Sequence, residues 1–236
     1  YIHNPYDGEN FVTSLDAAYY SENLKKYTEL LIYVPYYATS GAMGEAQSLC
    51  PAYRHVDYIV IQADCVRRFF DSSVPAKKLL SLGSPKFDRV VQMCRKPPEP
   101  PVVWQKKMQG RKVYFYNTSL SSMLADTKSF LEKMQYVFQT FRNCENACLL
   151  WRPHPLLDST FQSMRRDYYP VYEQLKRYFS ENDIGIYDET PDIDQSIAWS
   201  DVYIGDAGTS VTALFGIAGK PLFILNNNIH ELPEEE

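Results

Sequence analysis

Short apolar runs alternate with amphipathic stretches along the whole chain of 236 residues. In the first part, runs rich in β-branched and aromatic residues predict strands at 30–37 and 56–62, and a shorter strand within 76–88. The stretch 63–73 is predicted to be helical. Strands separated by helical stretches indicate a parallel sheet. Because three strands make a thin sheet, we expect further strands before residue 1.

The second part repeats this alternation more regularly. The predicted strands lie at 112–117, 147–151, 184–188, 201–206 and 220–225. The predicted helices lie at 122–143, 159–179, 192–200 and 208–219. Apolar residues recur at steps of three and four in the first helix, and Pro170 is expected to kink or restart the second. This order is that of a doubly wound α/β domain.

A proline-rich stretch separates the two parts. Four prolines fall within the five residues 97–101, where neither a helix nor a central strand is expected. The sequence therefore predicts an N-terminal Rossmann-like domain at 1–95, a linker at 96–111 and a C-terminal Rossmann-like domain at 112–236.

Composition and charge narrow the class of protein. Hydrophobic residues make up 45% of the chain, enough to bury a core. No run reaches the roughly 20 apolar residues that span a bilayer, and the chain does not open on a signal peptide. The net charge of −5 argues against non-specific nucleic-acid binding. The five irregularly spaced cysteines favour the reduced thiols of a cytosolic protein.

Three predicted strands end in polar segments. These are "NTSLSS" (117–122), which contains Ser119, "RPHP" (152–155) and "GDAGTS" (205–210). In an open parallel sheet, ligands bind beyond the carboxyl ends of the strands. We therefore expect all three segments at one rim of the sheet.

The segment "GDAGTS" suits an anion. Gly205 and Gly208 flank a tight turn, and Thr209 and Ser210 begin the next helix. Free amide groups and the helix dipole at such a start favour negative charge. The alternative is that Asp206 or Thr209 is an ordinary N-cap and that the glycines serve only the turn.

The segment "RPHP" suits a diphosphate. Two prolines fix the backbone on either side of His154. Arg152 is a permanent cation, and His154 can donate to a phosphate oxygen or act as an acid or base. The alternative is a stiff strand exit in which His154 caps a carbonyl.

Two other segments are weaker candidates. Lys86 and Asp88 follow the Gly-Ser-Pro turn of "LGSPKFD", which an ordinary surface turn also explains. His3 and Asp7 in "IHNPYD" are weaker still, because no strand is visible before them.

Three blocks resemble the CDP-glycerol glycerophosphotransferase family, in order over about residues 57–225. "DYIVIQADCVRRFF…KLLSLGSPKFDRV" resembles its strand, helix and Gly-x-Pro-x-x-Asp turn. "LLWRPHP" resembles its strand ending in Arg/Lys-x-His-Pro, and "SDVYIGDAGTSVTALFGIAGKPLFIL" resembles its Asp-Tyr-Ser-Ser and Lys-Pro block. The resemblance implies a GT-B-like α/β fold, with two Rossmann-like, doubly wound parallel-sheet domains facing a cleft. It also implies a cytoplasmic enzyme, peripheral at the inner face of the membrane, that makes a teichoic-acid-like polymer.

The resemblance also implies roles for residues. His154 stands where the family has a histidine near the donor diphosphate, and Thr209 and Ser210 stand where paired serines bind phosphate. Asp206 matches the aspartate that opens the turn. The predicted site is catalytic His154, donor-binding Arg152, Asp206, Gly208, Thr209 and Ser210, and the further candidates Lys86, Asp88 and Ser119, without a metal or cofactor.

The sequence departs from the family in two places. The Trp-His-Gly-Thr motif, whose histidine is the expected acceptor base, has no counterpart after 30–37. Tyr36, Tyr37 or Glu45 would have to replace that histidine. The turn "DAGTS" has one residue more than the family's turn and a glycine in place of the first serine.

The leading interpretation is transfer of glycerol phosphate or ribitol phosphate from a CDP-linked donor to a hydroxyl acceptor, free or lipid-linked. The acceptor oxygen attacks the β-phosphorus and CMP leaves. One alternative is a GT-B glycosyltransferase that uses a nucleotide sugar. The other is a non-catalytic binding module of the same fold, which the missing histidine favours.

Overall fold

A computed structural model of the chain describes residues 1–9, 15–39, 43–207 and 209–225. The chain divides into two compact units, Tyr1–Arg89 and Val90–Glu236. Each unit has its own parallel sheet, of three strands in the first and five in the second. The predicted α/β class with parallel sheets is therefore confirmed. Within the described ranges, no helix has the length and apolar character needed to cross a bilayer.

The first unit is built on the sheet order β1-β2-β3. Its strands are β1 (Ile32–Tyr33), β2 (Tyr58–Ile61) and β3 (Leu79–Ser81). Its helices are α1 (Ser21–Lys25), α2 (Glu45–Ser48) and the start of α3 (Pro85–Arg95), which continues into the second unit. Its core combines apolar strand residues, Ile59 and Ile61 among them, with buried residues of the connecting segments, such as Tyr53 and Val66.

Two predictions for the first unit were wrong in detail. The strand predicted at 30–37 is only two residues long, because Pro35 cannot donate to a sheet ladder. The helix predicted at 63–73 is a 3₁₀ segment, Asp64–Phe69. Only Val66 of that segment is buried, so no apolar face stabilises a longer α-helix.

The second unit has the sheet order β6-β5-β4-β7-β8. Its strands are β4 (Lys112–Thr118), β5 (Ala147–Pro153), β6 (Gly185–Tyr187), β7 (Val202–Gly205) and β8 (Leu222–Ile224). Its helices are α4 (Val102–Met108), α5 (Leu120–Ala125), α6 (Thr127–Arg142), α7 (Leu157–Met164), α8 (Tyr169–Glu181), α9 (Ile193–Trp199) and α10 (Ser210–Ile217). The strand order reverses at β4 and β7, so the ligand crevice of a doubly wound sheet is expected at their carboxyl ends.

An aromatic core fixes the position of this sheet. Phe138 on α6 packs edge-on against Trp151 on β5, with ring centroids 4.9 Å apart. Phe179 on α8 closes the same cluster. The edge strand β6 approaches closely at Gly185, where a Cβ would lie 2.0 Å from the carbonyl oxygen of Leu149. Only glycine fits there.

The helix predicted at 122–143 is in fact two helices, α5 and α6. The chain leaves helical geometry at Asp126 (φ −150°), and the Oδ1 of Asp126 accepts a hydrogen bond from Ser129 N at 3.1 Å. An aspartate in this position is a strong N-cap and starts a new helix. The restart predicted at Pro170 is confirmed, since Pro170 lies in the first turn of α8.

The segment predicted as a linker contains α4, which starts directly after Pro101. Its Trp104 packs edge-on against Trp199, with centroids 5.6 Å apart. The indole N–H of Trp199 donates to the carbonyl oxygen of Pro98 at 2.7 Å. The proline-rich stretch is therefore packed onto the second unit, and the division between compact units falls earlier, after Arg89.

Candidate functional site

Three polar segments leave the second sheet from one row of its register. Asn117 on β4 pairs with Arg152 on β5 and with Gly205 on β7. Neighbouring strands are about 4.8 Å apart, so the backbones of Arg152 and Gly205 are separated by about 10 Å. The predicted convergence of "NTSLSS", "RPHP" and "GDAGTS" at one rim is confirmed.

His154 is held in a defined orientation at this rim. Its backbone N–H donates to the carbonyl oxygen of Thr118 at 2.9 Å. Its Nδ1 accepts a hydrogen bond from Leu156 N at 3.1 Å. The neutral ring therefore carries its proton on Nε2, which is left to donate to a ligand. Although the side chain is exposed, partial desolvation lowers the pKa of His154 below its ordinary value.

His154 lines a cavity of about 260 Å³ at the carboxyl ends of β5 and β6. The wall is both aromatic and polar, formed by side chains that include Asp158, Tyr172, Tyr187, Glu189 and Thr190. Small-molecule sites usually span about 300–1,000 Å³. This cavity therefore suits one part of a nucleotide-linked ligand.

Arg152 supports the wall of this cavity. Its NH1 donates to Asp188 Oδ2 at 2.7 Å, and its NH2 donates to the carbonyl oxygen of Thr190 at 2.6 Å. Asp188 is fully buried and also accepts from Ser196 Oγ at 2.5 Å. The guanidinium, predicted to bind diphosphate, thus has two of its nitrogens occupied by the loop after β6.

Sequence reasoning missed Asp188. The signal was available, because an aspartate that directly follows the apolar run "IGIY" lies at a strand end. Its partner could not be identified, because the pairing of β6 with β5 is not visible in the sequence.

Asp206 anchors the turn after β7. One carboxylate oxygen is paired with the ammonium of Lys133 on α6, and the other accepts from Ser119 N at 2.8 Å. Lys133 is 0% and Asp206 4% exposed. The hydroxyl of Tyr203 donates to the backbone oxygen of Asp206 at 2.7 Å. A carboxylate so engaged positions the rim and does not attract a diphosphate.

Sequence reasoning also missed Lys133. This lysine lies on the apolar face of α6, beside Phe130 and Met134, whereas lysines are almost never fully buried without a partner. A lysine in the apolar stripe of an amphipathic helix was therefore a usable signal for a buried ion pair.

The start of α10 carries a buried hydroxyl. Thr209 is the N-cap residue, but its side chain makes no capping bond. Its Oγ1 is buried beside the hydroxyl of Tyr203 and makes no hydrogen bond of normal geometry among the described residues. Ser210 begins the helix, whereas Gly208 lies outside the described residues. Gly205 is required before the turn, because its φ is +148° and a Cβ would lie 2.5 Å from Asn117 O.

The further candidates Ser119, Lys86 and Asp88 lie in two different parts of the fold. Ser119 caps α5 by accepting from Ser122 N at 3.2 Å. Lys86 and Asp88 are exposed in the first turn of α3, in the first unit. Within the described ranges, no group of three or more His, Cys, Asp or Glu residues is arranged to hold a metal ion.

The first unit has a histidine at the carboxyl end of its own sheet. Ile2 N donates to Ile32 O at 2.9 Å, and Val34 N donates to Ile2 O at 2.8 Å. This parallel bridge adds the start of the chain beside β1. His3 follows immediately and is exposed. His3 was a weak candidate from the sequence because no strand is visible before it, and the bridge at Ile2 is what places it at a strand end.

The two tyrosines considered as replacements for the acceptor base have raised pKa values. Burial raises the pKa of both Tyr36 and Tyr37 to about 12. Both phenols are therefore protonated near neutral pH, and neither can accept a proton there. The side chain of Glu45 is not among those that the structure describes.

The fold has close counterparts among solved structures. MnaA of S. aureus with UDP matches with a TM-score of 0.59 and 10% identity over 87% of this chain and 53% of that one. A UDP-N-acetylglucosamine 2-epimerase matches with a TM-score of 0.55 and 13% identity over 91% and 52%. The wall teichoic acid polymerase TagF matches with a TM-score of 0.53 and 14% identity over 88% and 52%.

The sequence comparisons give no match, either to a family model or to a curated protein. The chain spans about half the length of the solved structures that it matches. At these identities, the likeness establishes a shared fold. The chain therefore has the α/β fold of the GT-B enzymes TagF and UDP-N-acetylglucosamine 2-epimerase.

Proposed function

We propose that this protein transfers a polyol phosphate, such as glycerol or ribitol phosphate, from a CDP-linked donor to a hydroxyl acceptor in the synthesis of a cell-wall or surface polymer. The observation that carries the proposal is the fixed ring of His154. Its Nδ1 is occupied by Leu156 N, so its Nε2–H is available at the rim where a diphosphate is expected.

The rim supplies further donors for a diphosphate. Thr209 Oγ1 is buried without a hydrogen bond of normal geometry among the described residues, and the amides of Ser210 and Val211 precede the first backbone bond of α10, from Thr212 N to Thr209 O, at a positive dipole end. The cavity beside His154 would take the nucleoside part of the donor. One TagF structure was obtained with CDPG, which supports a CDP-linked donor for this fold.

The reaction needs positioning and electrostatic stabilisation. The acceptor oxygen attacks the β-phosphorus, the bond to the bridging oxygen breaks, and CMP leaves. Negative charge develops on the phosphoryl and leaving oxygens. His154 Nε2–H and the start of α10 would donate to these oxygens, which is the usual form of oxyanion stabilisation. Lys133, Asp206 and Arg152 would hold the rim in place.

We further propose that His3 takes the proton of the acceptor hydroxyl. It lies exposed at the carboxyl end of the first sheet, and an imidazole is a common general base in enzymes, whereas the phenols of Tyr36 and Tyr37 stay protonated near neutral pH. With His3 as the base, the absence of a histidine after 30–37 would no longer favour a non-catalytic module.

The test is an assay of transfer from CDP-glycerol to a glycerol-phosphate-primed acceptor, in which the release of CMP is measured. We expect His3→Gln to lower turnover by about 100-fold or more, because it removes a general base. The same variant should bind CDP-glycerol normally by calorimetry. Tyr36→Phe is the control and should keep turnover. Normal turnover in His3→Gln would exclude His3 as the base, and absence of transfer by the wild-type protein with every polyol-phosphate acceptor would refute the transferase.

A nucleotide-sugar enzyme is the second candidate. The observation in its favour is that MnaA with UDP and the epimerase match with TM-scores of 0.59 and 0.55, above the 0.53 of TagF. Such an enzyme would use the same rim for a UDP-linked sugar. Tighter binding of UDP compounds than of CDP compounds would support the nucleotide-sugar enzyme.

A further inference from the structure

The first unit has a groove at the end of its sheet opposite to the carboxyl rim. It lies before β2 and β3, and we call it the basic groove. Its lining residues are Lys25, Arg54, His55, Asp57, Lys77 and Lys78, with Val56 and Tyr58. Its volume is about 640 Å³, well within the range of about 300–1,000 Å³ found for small-molecule sites.

The charge of the basic groove opposes that of the chain. Four permanent cations and one carboxylate line it, whereas the whole chain has 24 Lys and Arg against 29 Asp and Glu. Cations gathered in one groove repel each other, and an anion relieves that repulsion. The composition of the chain therefore does not explain the cluster.

The single carboxylate is already neutralised. Asp57 Oδ2 accepts from Lys25 Nζ at 2.7 Å and from Leu31 N at 2.7 Å. The hydrogen bond from Lys25 is the main reason why the pKa of Asp57 is lowered. Asp57 is consequently an anion paired with Lys25; it also attracts Lys78 at longer range, but its single charge cannot balance the other three cations.

Lys78 is fixed with its charge unpaired. Its Nζ donates to the carbonyl oxygens of Tyr53 at 3.0 Å, Arg54 at 3.3 Å and Val56 at 2.8 Å. These neutral acceptors orient the ammonium but do not cancel its charge. A positively charged wall is thus built into the groove.

Arg54 and Lys77 are the exposed part of the cluster. Both side chains are exposed, and neither has an ion-pair partner among the described residues. A guanidinium presents parallel N–H groups that match two oxygens of one phosphate, and an ammonium adds a point charge. Three unmatched cations suit a ligand of two or more negative charges better than a carboxylate.

We propose that the basic groove binds a ligand through a phosphate monoester or diphosphate group. This site lies at the amino ends of β2 and β3 and is independent of the donor site of the second unit. Arg54 and Lys77 grip the phosphate oxygens, and Lys78 supplies a fixed positive charge behind them. The phosphate belongs either to a small soluble molecule or to a lipid headgroup.

The test is calorimetric titration of the full chain with pyrophosphate. We expect the double variant Arg54→Glu/Lys77→Glu to weaken one binding event by at least about tenfold, because two charge-assisted contacts are lost. His154→Ala should leave that event unchanged, which separates it from binding at the donor site. The control Lys96→Glu/Lys106→Glu makes the same charge change at exposed positions outside the groove and should bind normally.

The source of the phosphate is settled by a second titration, with vesicles of phosphatidylglycerol in phosphatidylcholine. Pyrophosphate binding alone indicates a soluble ligand, whereas vesicle binding that the groove variant abolishes indicates a headgroup. The proposal is overturned if neither probe distinguishes the groove variant from the wild type. It is equally overturned if the Lys96→Glu/Lys106→Glu control loses binding to the same extent.

Discussion

Lys133→Met should destabilise the second unit by about 3–5 kcal/mol, the usual cost of breaking a buried ion pair by removing one partner. Lys133 is 0% exposed and its ammonium is paired with Asp206, which is 4% exposed. Methionine fills a similar volume, so the loss comes from the unpaired carboxylate and not from a cavity. Thermal unfolding measures the effect, and about 2–4 °C per kcal/mol is expected for a domain of this size.

The controls separate the buried pair from a general effect of losing a lysine. Lys128 lies on the same helix, is 74% exposed and has Glu132 at 3.7 Å. Lys128→Met should change stability by less than about 0.5 kcal/mol. The double variant Lys133→Met/Asp206→Asn should be more stable than Lys133→Met, because no buried charge is left unpaired. Equal effects of Lys133→Met and Lys128→Met would contradict the buried pair.

His154→Ala should reduce transfer from CDP-glycerol by about 100-fold or more, the range typical for loss of a positioned acid or donor. His154→Gln should retain part of this activity, since its amide can donate from a position near that of Nε2. Both variants keep the fold, because the backbone N–H of His154, not its side chain, bonds Thr118 O. Full turnover in His154→Ala would remove this residue from the mechanism.

The pH dependence of binding gives an independent check on His154. Desolvation lowers the pKa of His154. In the free protein the ring is therefore neutral at any pH above the ordinary histidine pKa of about 6.5. Protonation of Nδ1 ends the hydrogen bond from Leu156 N, but a bound diphosphate stabilises the imidazolium through charge-assisted bonding by more than one neutral hydrogen bond is worth, and so raises the pKa of His154. Affinity for CDP-glycerol, whose phosphates do not titrate in this range, should therefore rise as the pH falls below about 6.5. The rise should be absent in His154→Gln.

The strands of the second unit were predictable because each is a short apolar run bounded by turn residues, as in 147–151 for β5. The break between α5 and α6 was not, because Asp126 interrupts a continuous apolar period that favours one helix. The helix inside the predicted linker was not foreseen for a related reason. Its prolines exclude a helix at 97–101, but Pro101 is a suitable residue to precede α4.

The rim of the candidate site was predictable from topology alone, because parallel strands end on one side. The ion-pair partners of individual side chains at this rim were not predictable from the sequence. Arg152 has a partner in Asp188, 36 residues later, and Asp206 has one in Lys133, 73 residues earlier. Such pairs depend on which strands and helices are neighbours. Sequence spacing therefore could not show that Arg152 has a carboxylate partner or that Asp206 has a buried lysine partner.

Calorimetric titration of the full chain with CDP-glycerol and, separately, with UDP-N-acetylglucosamine tests whether the rim around His154 is a donor site. We expect tighter binding of CDP-glycerol, and at least about tenfold weaker binding in His154→Ala, the cost of one charge-assisted hydrogen bond. Tighter binding of the UDP compound would favour a nucleotide-sugar enzyme. Binding of CDP-glycerol that His154→Ala leaves unchanged, or no binding at all, would contradict a donor site at this rim.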